Sequence, residues 1–448
     1  MPIFAPSIIG IKSVWRWFRR LAWLCIFLLL MALGAVTYIY QTQLKPDTPD
    51  EWAYPLQIKY FTFSLSIPKT ILWASSPRIG PWLDGLKKNS SHGQYQLKWD
   101  EPNQALIVLC NQCINRIQGL GADDLVLDRV ELHIRQDAEQ NLTGFIVLGE
   151  KKPVEFVWSG IFAANSLQMD LVGQNVSISS IYHTLTPQLP ELKQAQITGT
   201  LDIAAKMQWP TLSFFLSHIK VNDFTVSGLG TANLINSASS CGASSNLPMD
   251  HWLVRSVMSA EDQRFETHPG YDLEELMTVF DQNHAKGSII RGGSTISQQI
   301  AKLLYTGSEK SLVRKMRELL YAVEMEQTLG KARIMQLYLD NAPWGLDREG
   351  RFICGAQAAA QEYFGVNAKD LKPHQAVWLA AMLHSPMREA KNWQETGKIN
   401  LQRAIWVANY VRNARNSGPR ARQKVIDTLK RNPSLGMTPM KSASSPNR

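Results

Sequence analysis

Hydrophobic and polar positions alternate with a period of two over much of residues 60–235, then follow a helical period from about 248 to 432. Val130, Leu132 and Ile134 alternate with polar neighbours, as do Leu167, Met169 and Leu171, and the run Leu201, Ile203, Ala205, Met207 and Trp209. Successive side chains on a strand point to opposite faces, so this alternation marks half-buried strands. Gly, Asn and Pro separate the runs at intervals of about 8–14 residues, which predicts an antiparallel β-rich domain over 60–235. Beyond residue 248, Trp252, Leu253 and Val257 share one face of a helix predicted to start at Pro248 and end near Glu261. Asp272, with Glu275 three residues on, predicts the capping box of a second helix, for which Gly287 is the stop. A third, over about 311–329, buries Leu312, Met316, Leu319, Leu320 and Val323.

The intervening segments lack either period. Residues 41–59 contain Pro46, Pro49 and Pro55 and read as a stalk. Residues 236–247 (NSASSCGASSNL) are small and polar and read as a linker. Residues 433–448 read as a disordered tail.

Residues 21–40 form a run without a charge, long enough to cross a hydrocarbon core of about 30 Å. Lys12, Arg16, Arg19 and Arg20 precede it within the basic segment 1–20, so the positive-inside bias puts the N-terminus in the cytoplasm and the rest outside. A cleaved signal peptide is the rival reading, but the apolar run continues to Tyr40, which favours an uncleaved anchor.

Composition narrows the classes further. With 45% hydrophobic and 19% charged residues, the 448-residue chain is excluded from wholesale disorder. A net charge of +9 is compatible with nucleic acid, anionic lipid or phosphorylated substrates. The anchor favours the last two and no nucleic-acid partner is expected. Cys110 and Cys113 form C-N-Q-C with no second pair nearby for zinc. Outside the membrane a local disulfide is the plain reading, with a catalytic thiol pair as the alternative.

Candidate chemistry concentrates in Glu261–Lys302. Glu261 and Asp262 form an acidic pair near His268. Ser294 or Thr295 then starts a helix whose free N–H groups would suit a phosphate. Ser294, Gln298 and Lys302 lie four residues apart and share a face, which is either solvated or ligand-binding. Arg314 and Glu318 are either a surface i,i+4 pair or, with Lys315, part of an anion-binding cluster.

E-D-x-x-F-x-x-H-x-G at Glu261–Gly270, G-G-S-T-I-S-Q-Q-x-A-K at Gly292–Lys302 and R-K-x-x-E at Arg314–Glu318 resemble successive motifs of glycosyltransferase family 51, the peptidoglycan glycosyltransferases. Arg333–Leu339 and Gly355–Gly365 resemble two further motifs. The resemblance covers about 248–390 and is to the monofunctional type, with a β domain after the anchor. It implies a mostly α-helical, lysozyme-like glycosyltransferase domain. The implied overall class is α+β multidomain with one N-terminal transmembrane helix and an extracytoplasmic antiparallel β-rich domain. The implied reaction polymerises lipid II onto a growing glycan chain, with inversion at the anomeric carbon and release of undecaprenyl diphosphate. By resemblance Glu261 is the general base and Glu318 the second catalytic carboxylate. Asp262, Arg291, Ser294, Gln298, Lys302, Arg314 and Lys315 contact substrate, and His268 is structural. The resemblance leaves open a divalent ion, Mg2+ or Mn2+, on the diphosphate, with no protein ligand set assigned.

Leu303 and Asp340 depart from the residues usual in that family. The stretch QITGTLDIAAKMQW resembles strand repeats of AsmA-like envelope proteins, and other cell-wall synthesis proteins are candidate partners of the β domain. The competing functions are a non-enzymatic envelope scaffold or lipid-binding protein with a degenerate domain, and a lysozyme-like hydrolase.

Overall fold

A computed structural model describes residues 9–58, 61–115, 125–139, 141–163, 165–211, 213–278, 293–309, 311–347 and 349–432. The expected Gly287 stop, Arg291, Gly292 and the 433–448 tail lie outside the described residues. The first helix, α1 (Ile9–Ile39), takes in most of the basic segment as well as the apolar run and continues as a π-helical turn, Tyr40–Leu44. Its stretch Trp17–Leu44 is long and apolar enough to cross a bilayer, with a mean hydropathy of 2.3. The helix thus starts well before the predicted residue 21, because Lys and Arg are good helix formers and nothing in that segment breaks the turn.

The expected stalk is half structured. β1 (Ala53–Ile58) pairs with β2 (Phe61–Ser66) in an antiparallel hairpin that places Pro55 opposite Ser64. Proline is tolerated there because both strands of a two-stranded ribbon are edges. Tyr40 donates its hydroxyl to the Ser64 carbonyl and packs edge-on against Phe63, tying the hairpin to the end of the apolar helix.

Among the described residues, nine strands form one antiparallel sheet in strictly sequential order. They are β3 (Lys87–Ser90), β4 (Gly93–Asp100), β5 (Ala105–Asn115), β6 (Leu125–Gln136), β7 (Leu142–Leu148), β8 (Val154–Ala163), β9 (Ser166–Ser177), β10 (Gln196–Trp209) and β11 (Ser213–Ser227). The period-two residues do set its faces. Leu132 of β6, Ile146 of β7, Trp158 of β8, Met169 of β9 and Met207 of β10 lie in one apolar cluster, covered at one end by Ile71 and Leu72 of α2 (Ile67–Ala74). The sequence did not predict α2 or α3 (Ile178–Leu185) inside the strand region. α3 joins two cores: Leu185 packs on Cys110, Cys113 and Leu127 of the sheet, while Ile178 and Tyr182 enter the core of the helical region.

The helical region begins at α4 (Trp252–Glu261), four residues later than expected. His251 is its N-cap, accepting the Leu253 amide at 3.1 Å, and Pro248 sits in the preceding turn. After helical residues 273–278, where Asp272 Oδ1 accepts the Glu275 amide at 2.9 Å as the cap signal predicts, come α5 (Ile296–Ala301), α6 (Leu312–Thr328), α7 (Gly330–Asn341), the short hairpin β12 (Pro343–Leu346) and β13 (Phe352–Cys354), and α8 (Ala356–Phe364). The described residues close with α9 (Pro373–Met382), α10 (Pro386–Thr396), α11 (Leu401–Tyr410) and α12 (Pro419–Arg431). α9 is buried along its length, with Ala376 to Met382 inside the core. α4, α10, α11 and α12 pack against this apolar axis.

The segment expected as a linker is tied down instead. Cys241 forms a disulfide with Cys354 of β13, and Cys110 is bonded to Cys113 within β5. Asp340 accepts hydrogen bonds from the Ser244 hydroxyl at 2.5 Å, the Ser245 amide at 2.9 Å and the Ser245 hydroxyl at 3.1 Å. The unusual Asp340 thus anchors 236–247, because a buried carboxylate needs donors and three serine groups supply them. The helical core also contains Leu189, Phe224, Val226 and Leu229 from the strand region, so strands and helices share one interior.

Candidate functional site

α4 ends by placing two carboxylates side by side in opposite environments. Asp262 turns inward: His268 Nε2 lies 3.0 and 2.9 Å from its oxygens, and Oδ2 also accepts the Ile296 amide at 2.9 Å. His268 Nδ1 accepts the Gly270 amide at 3.1 Å, so the ring proton sits on Nε2 and is donated to Asp262. With 3% of its side chain exposed, Asp262 is a clasp between the end of α4 and the start of α5. Asp262 also borders the cavity that Glu261 lines.

Gly270 makes this turn possible. Its φ is +96°, and a Cβ there would sit 3.0 Å from the carbonyl carbon and oxygen of Ala322 on α6.

Glu261 lines this cavity of about 850 Å³, together with Asp262, Ser294, Gln299, His384 and Arg403. Burial raises the pKa of its carboxyl above the usual glutamate value. Arg403, 3.8 Å away, and a 3.3 Å hydrogen bond from Gln299 Nε2 oppose this, and the Asp262 charge adds a smaller upward push. Tyr338 donates to Gln299 Oε1 at 3.1 Å, which turns the amide nitrogen toward Glu261. Arg403, on α11, also donates to the Ala260 carbonyl at 2.6 Å and lies 4.6 Å over the Trp406 ring. His384 is held below the usual histidine pKa by burial and then by Arg403 and Arg388, so it is neutral at pH 7.

The helix start expected to bind phosphate is used internally. Thr295 is the N-cap of α5: its hydroxyl accepts the Gln298 amide, and Gln298 Oε1 returns to the Thr295 amide at 3.2 Å. The Ile296 amide goes to Asp262, so two of the first donors are occupied. Gln298 is therefore a capping residue, and its neighbour Gln299 faces the cavity. α5 closes after six residues into a π turn, Lys302–Thr306, leaving Lys302 exposed at its first position.

Positive charge comes from side chains on α6. Lys315 Nζ bridges Ser294 Oγ at 2.6 Å and Glu318 Oε2 at 2.7 Å, and Arg314 pairs with the other Glu318 oxygen. Burial, reinforced by the Arg314 and Lys302 charges, pushes the Lys315 ammonium down to about 8. Glu318 has 1% of its side chain exposed and both oxygens engaged, so it holds the two cations in place.

Ser294 links the halves, lining the Glu261 cavity and accepting from Lys315. Arg291 lies outside the described residues. Gln299, Tyr338, His384 and Arg403 escaped sequence reasoning. Gln299 is indistinguishable by pattern from Gln298, and Arg403 lies 142 residues from Glu261, beyond the resembling stretch.

This combination of a buried carboxylate with raised proton affinity and a nearby cationic cluster suits proton removal from a hydroxyl opposite an anionic leaving group. Residues 238–411 match the family model described as Transglycosylase. The chain is 42% identical over 134 residues to the biosynthetic peptidoglycan transglycosylase of Nitrosomonas eutropha, covering 30% of this chain and 53% of that protein. It is 44% identical over 134 residues to the protein of the same description from Cupriavidus metallidurans, covering 30% and 55%. With the one from Alcanivorax borkumensis it shares 40% over 156 residues, covering 35% and 61%. The chain thus spans a little over half the length of these curated relatives, and the stretch that matches the family model, 238–411, holds the Glu261 and Lys315 clusters. Residues 238–411 are thus similar to the transglycosylase family, in line with the resemblance that the motifs carry.

Proposed function

We propose that this chain is a peptidoglycan glycosyltransferase that polymerises lipid II. The observation that carries the reading is Glu261: buried in a polar cavity, its carboxyl has a raised pKa and is a correspondingly stronger base. In the reaction, Glu261 takes the proton from the attacking sugar hydroxyl of the acceptor. The hydroxyl oxygen forms the new bond to the anomeric carbon of the growing chain, with inversion. The bond from that carbon to the lipid diphosphate breaks, and the diphosphate leaves with the electron pair. Lys315, Arg314 and Lys302 supply its countercharge, with Lys315 and Arg314 steadied by Glu318. Gln299 and Arg403 hold the Glu261 carboxylate in place.

The residues assigned to the leaving group, Lys302, Arg314 and Lys315, are cationic. Among the described residues no group of three or more His, Cys, Asp or Glu side chains is placed to hold an ion. No step is therefore assigned to Mg2+ or Mn2+.

α1 serves as a single-pass anchor in the inner membrane with its basic end in the cytoplasm. The two disulfides after it fit an oxidising, extracytoplasmic compartment for the remainder of the chain. A lipid-linked substrate then meets the site at the membrane surface, and the net charge of +9 matches anionic headgroups without a nucleic-acid partner.

The test is polymerisation of purified lipid II by the full chain. Glu261→Gln is expected to lower the rate by about 100- to 10,000-fold, the usual worth of a general base. An unchanged rate overturns the assignment. Wild-type protein that binds lipid II but makes no glycan supports a scaffold instead.

A further inference from the structure

α6 carries the Arg314, Lys315 and Glu318 cluster, and another stripe of the same helix belongs to the strand region. Arg317, Tyr321, Glu324 and Thr328 recur at intervals of four, three and four, so they lie along one face. Each meets a residue that precedes position 235. Glu191, in a 3-10 turn between α3 and β10, accepts from Arg317 Nε at 2.7 Å and from the Tyr321 hydroxyl at 3.3 Å. Glu324 accepts the Leu229 and Thr231 amides at 2.7 and 3.0 Å, and Thr328 meets the Thr231 hydroxyl at 2.9 Å. Tyr182 of α3 donates to the Met316 carbonyl at 3.0 Å.

Glu191 is only 3% exposed. A buried carboxylate depends on its partner, and removing either leaves the other uncompensated. Arg317 sits in sequence between Lys315 and Glu318, at a position that the R-K-x-x-E pattern leaves free. A helix moves as a rigid unit, so whatever fixes Arg317 also fixes the two cluster residues beside it. Glu191 holds Arg317 through a charged pair, and the Tyr182 contact one residue away fixes the same turn.

We propose that Glu191 is a positioning residue for the transfer reaction: through Arg317 it sets the rotation and height of α6, and with them the placement of Lys315 and Glu318. The strand region is on this view a working part of the glycosyltransferase and not a spacer. The proposal rests on the functional reading above.

The experiment is a double-mutant cycle on lipid II polymerisation by the full chain, with Glu191→Ala, Arg317→Ala and the pair combined. Each single change is expected to lower kcat about tenfold with KM little altered, since small misplacement of charged groups acts on the transition state. The double variant should lose no more than either single one. Glu191→Gln keeps an oxygen at the Oε1 position and is expected to retain kcat within about threefold. Hydrogen exchange across 312–320 should quicken in Glu191→Ala and not in Glu191→Gln. Wild-type kcat in Glu191→Ala, multiplicative losses in the double variant, or unaltered exchange overturns the proposal while leaving the function intact. A wild-type chain that forms no glycan overturns the functional reading itself, and the positioning role with it.

Discussion

Lys315 offers a pH test whose sign follows from its surroundings. Its ammonium lies between Ser294 and Glu318, and burial with the Arg314 and Lys302 charges lowers its pKa from 10.5 to about 8. If this charge stabilises the departing diphosphate, the rate must fall as the ammonium loses its proton. The charged fraction drops from about nine-tenths at pH 7 to about one-tenth at pH 9, a roughly tenfold loss in the rate that depends on it. The same shift makes an opposite statement about stability. The folded pKa is below the unfolded one, so between about 8 and 10.5 the unfolded chain binds more protons and this group makes folding more favourable as pH rises. Alkaline loss of activity therefore should not coincide with a lowered melting temperature. The assay is initial-rate polymerisation from pH 6 to 10 beside thermal melts in the same buffers, for wild type and Lys315→Arg. Arginine stays charged throughout, so its profile should lose the limb near 8 even if its absolute rate is lower. Identical alkaline limbs in the two proteins, or a limb that tracks unfolding, refute the reasoning.

The other expectations are simpler. The acid limb of kcat/KM should lie above pH 4.5, because burial raises the Glu261 pKa, and Arg403→Ala should move it higher by removing an opposing positive charge. Asp262→Asn should destabilise the fold by about 3 kcal/mol, the scale of charge-assisted hydrogen bonds lost to His268 and Ile296, with KM spared; unchanged stability with a raised KM would instead indicate substrate contact. Gly270→Ala should cost about 1–3 kcal/mol in chemical denaturation, since it forces a Cβ onto the Ala322 carbonyl at a positive φ. It should also slow turnover, because the Thr295 hydroxyl rests on the Gly270 carbonyl at 2.8 Å. Replacing both Cys241 and Cys354 by serine should lower stability by up to about 5 kcal/mol on loop-entropy grounds, given their separation of 113 residues, whereas the Cys110–Cys113 bond closes too short a loop to matter comparably.

Legibility in the sequence followed the range of the interaction concerned. Alternation at Val130–Ile134, Leu167–Leu171 and Leu201–Trp209 exposed strands because side-chain direction on a strand is a local property. The motif residues from Glu261 to Glu318 were ambiguous by local spacing alone, and the resemblance of their ordered motifs to a known family singled them out. Errors arose where a local signal had two uses. Pro248 suits a helix start and equally the turn before it. Gln298 and Gln299 are neighbours of one type, and only the Thr295 cap decides which folds back and which faces Glu261. For Asp262 and Glu318 the sequence could not show what engages their oxygens, His268 and Ile296 for one and Arg314 and Lys315 for the other, groups whose placement depends on how α4, α5 and α6 pack.

By itself, then, the order of residues determined the apolar N-terminal helix, the alternating strands, the helical region and the chemical types gathered in its first half. The tertiary structure decided which of those groups is left facing the cavity. It paired Glu261 with Arg403, bound 236–247 to Asp340 and Cys354, and set Glu191 against Arg317. Each of these contacts joins single residues from distant segments. No periodicity announces such a pair, because its partners acquire a common position only when the elements carrying them share one core.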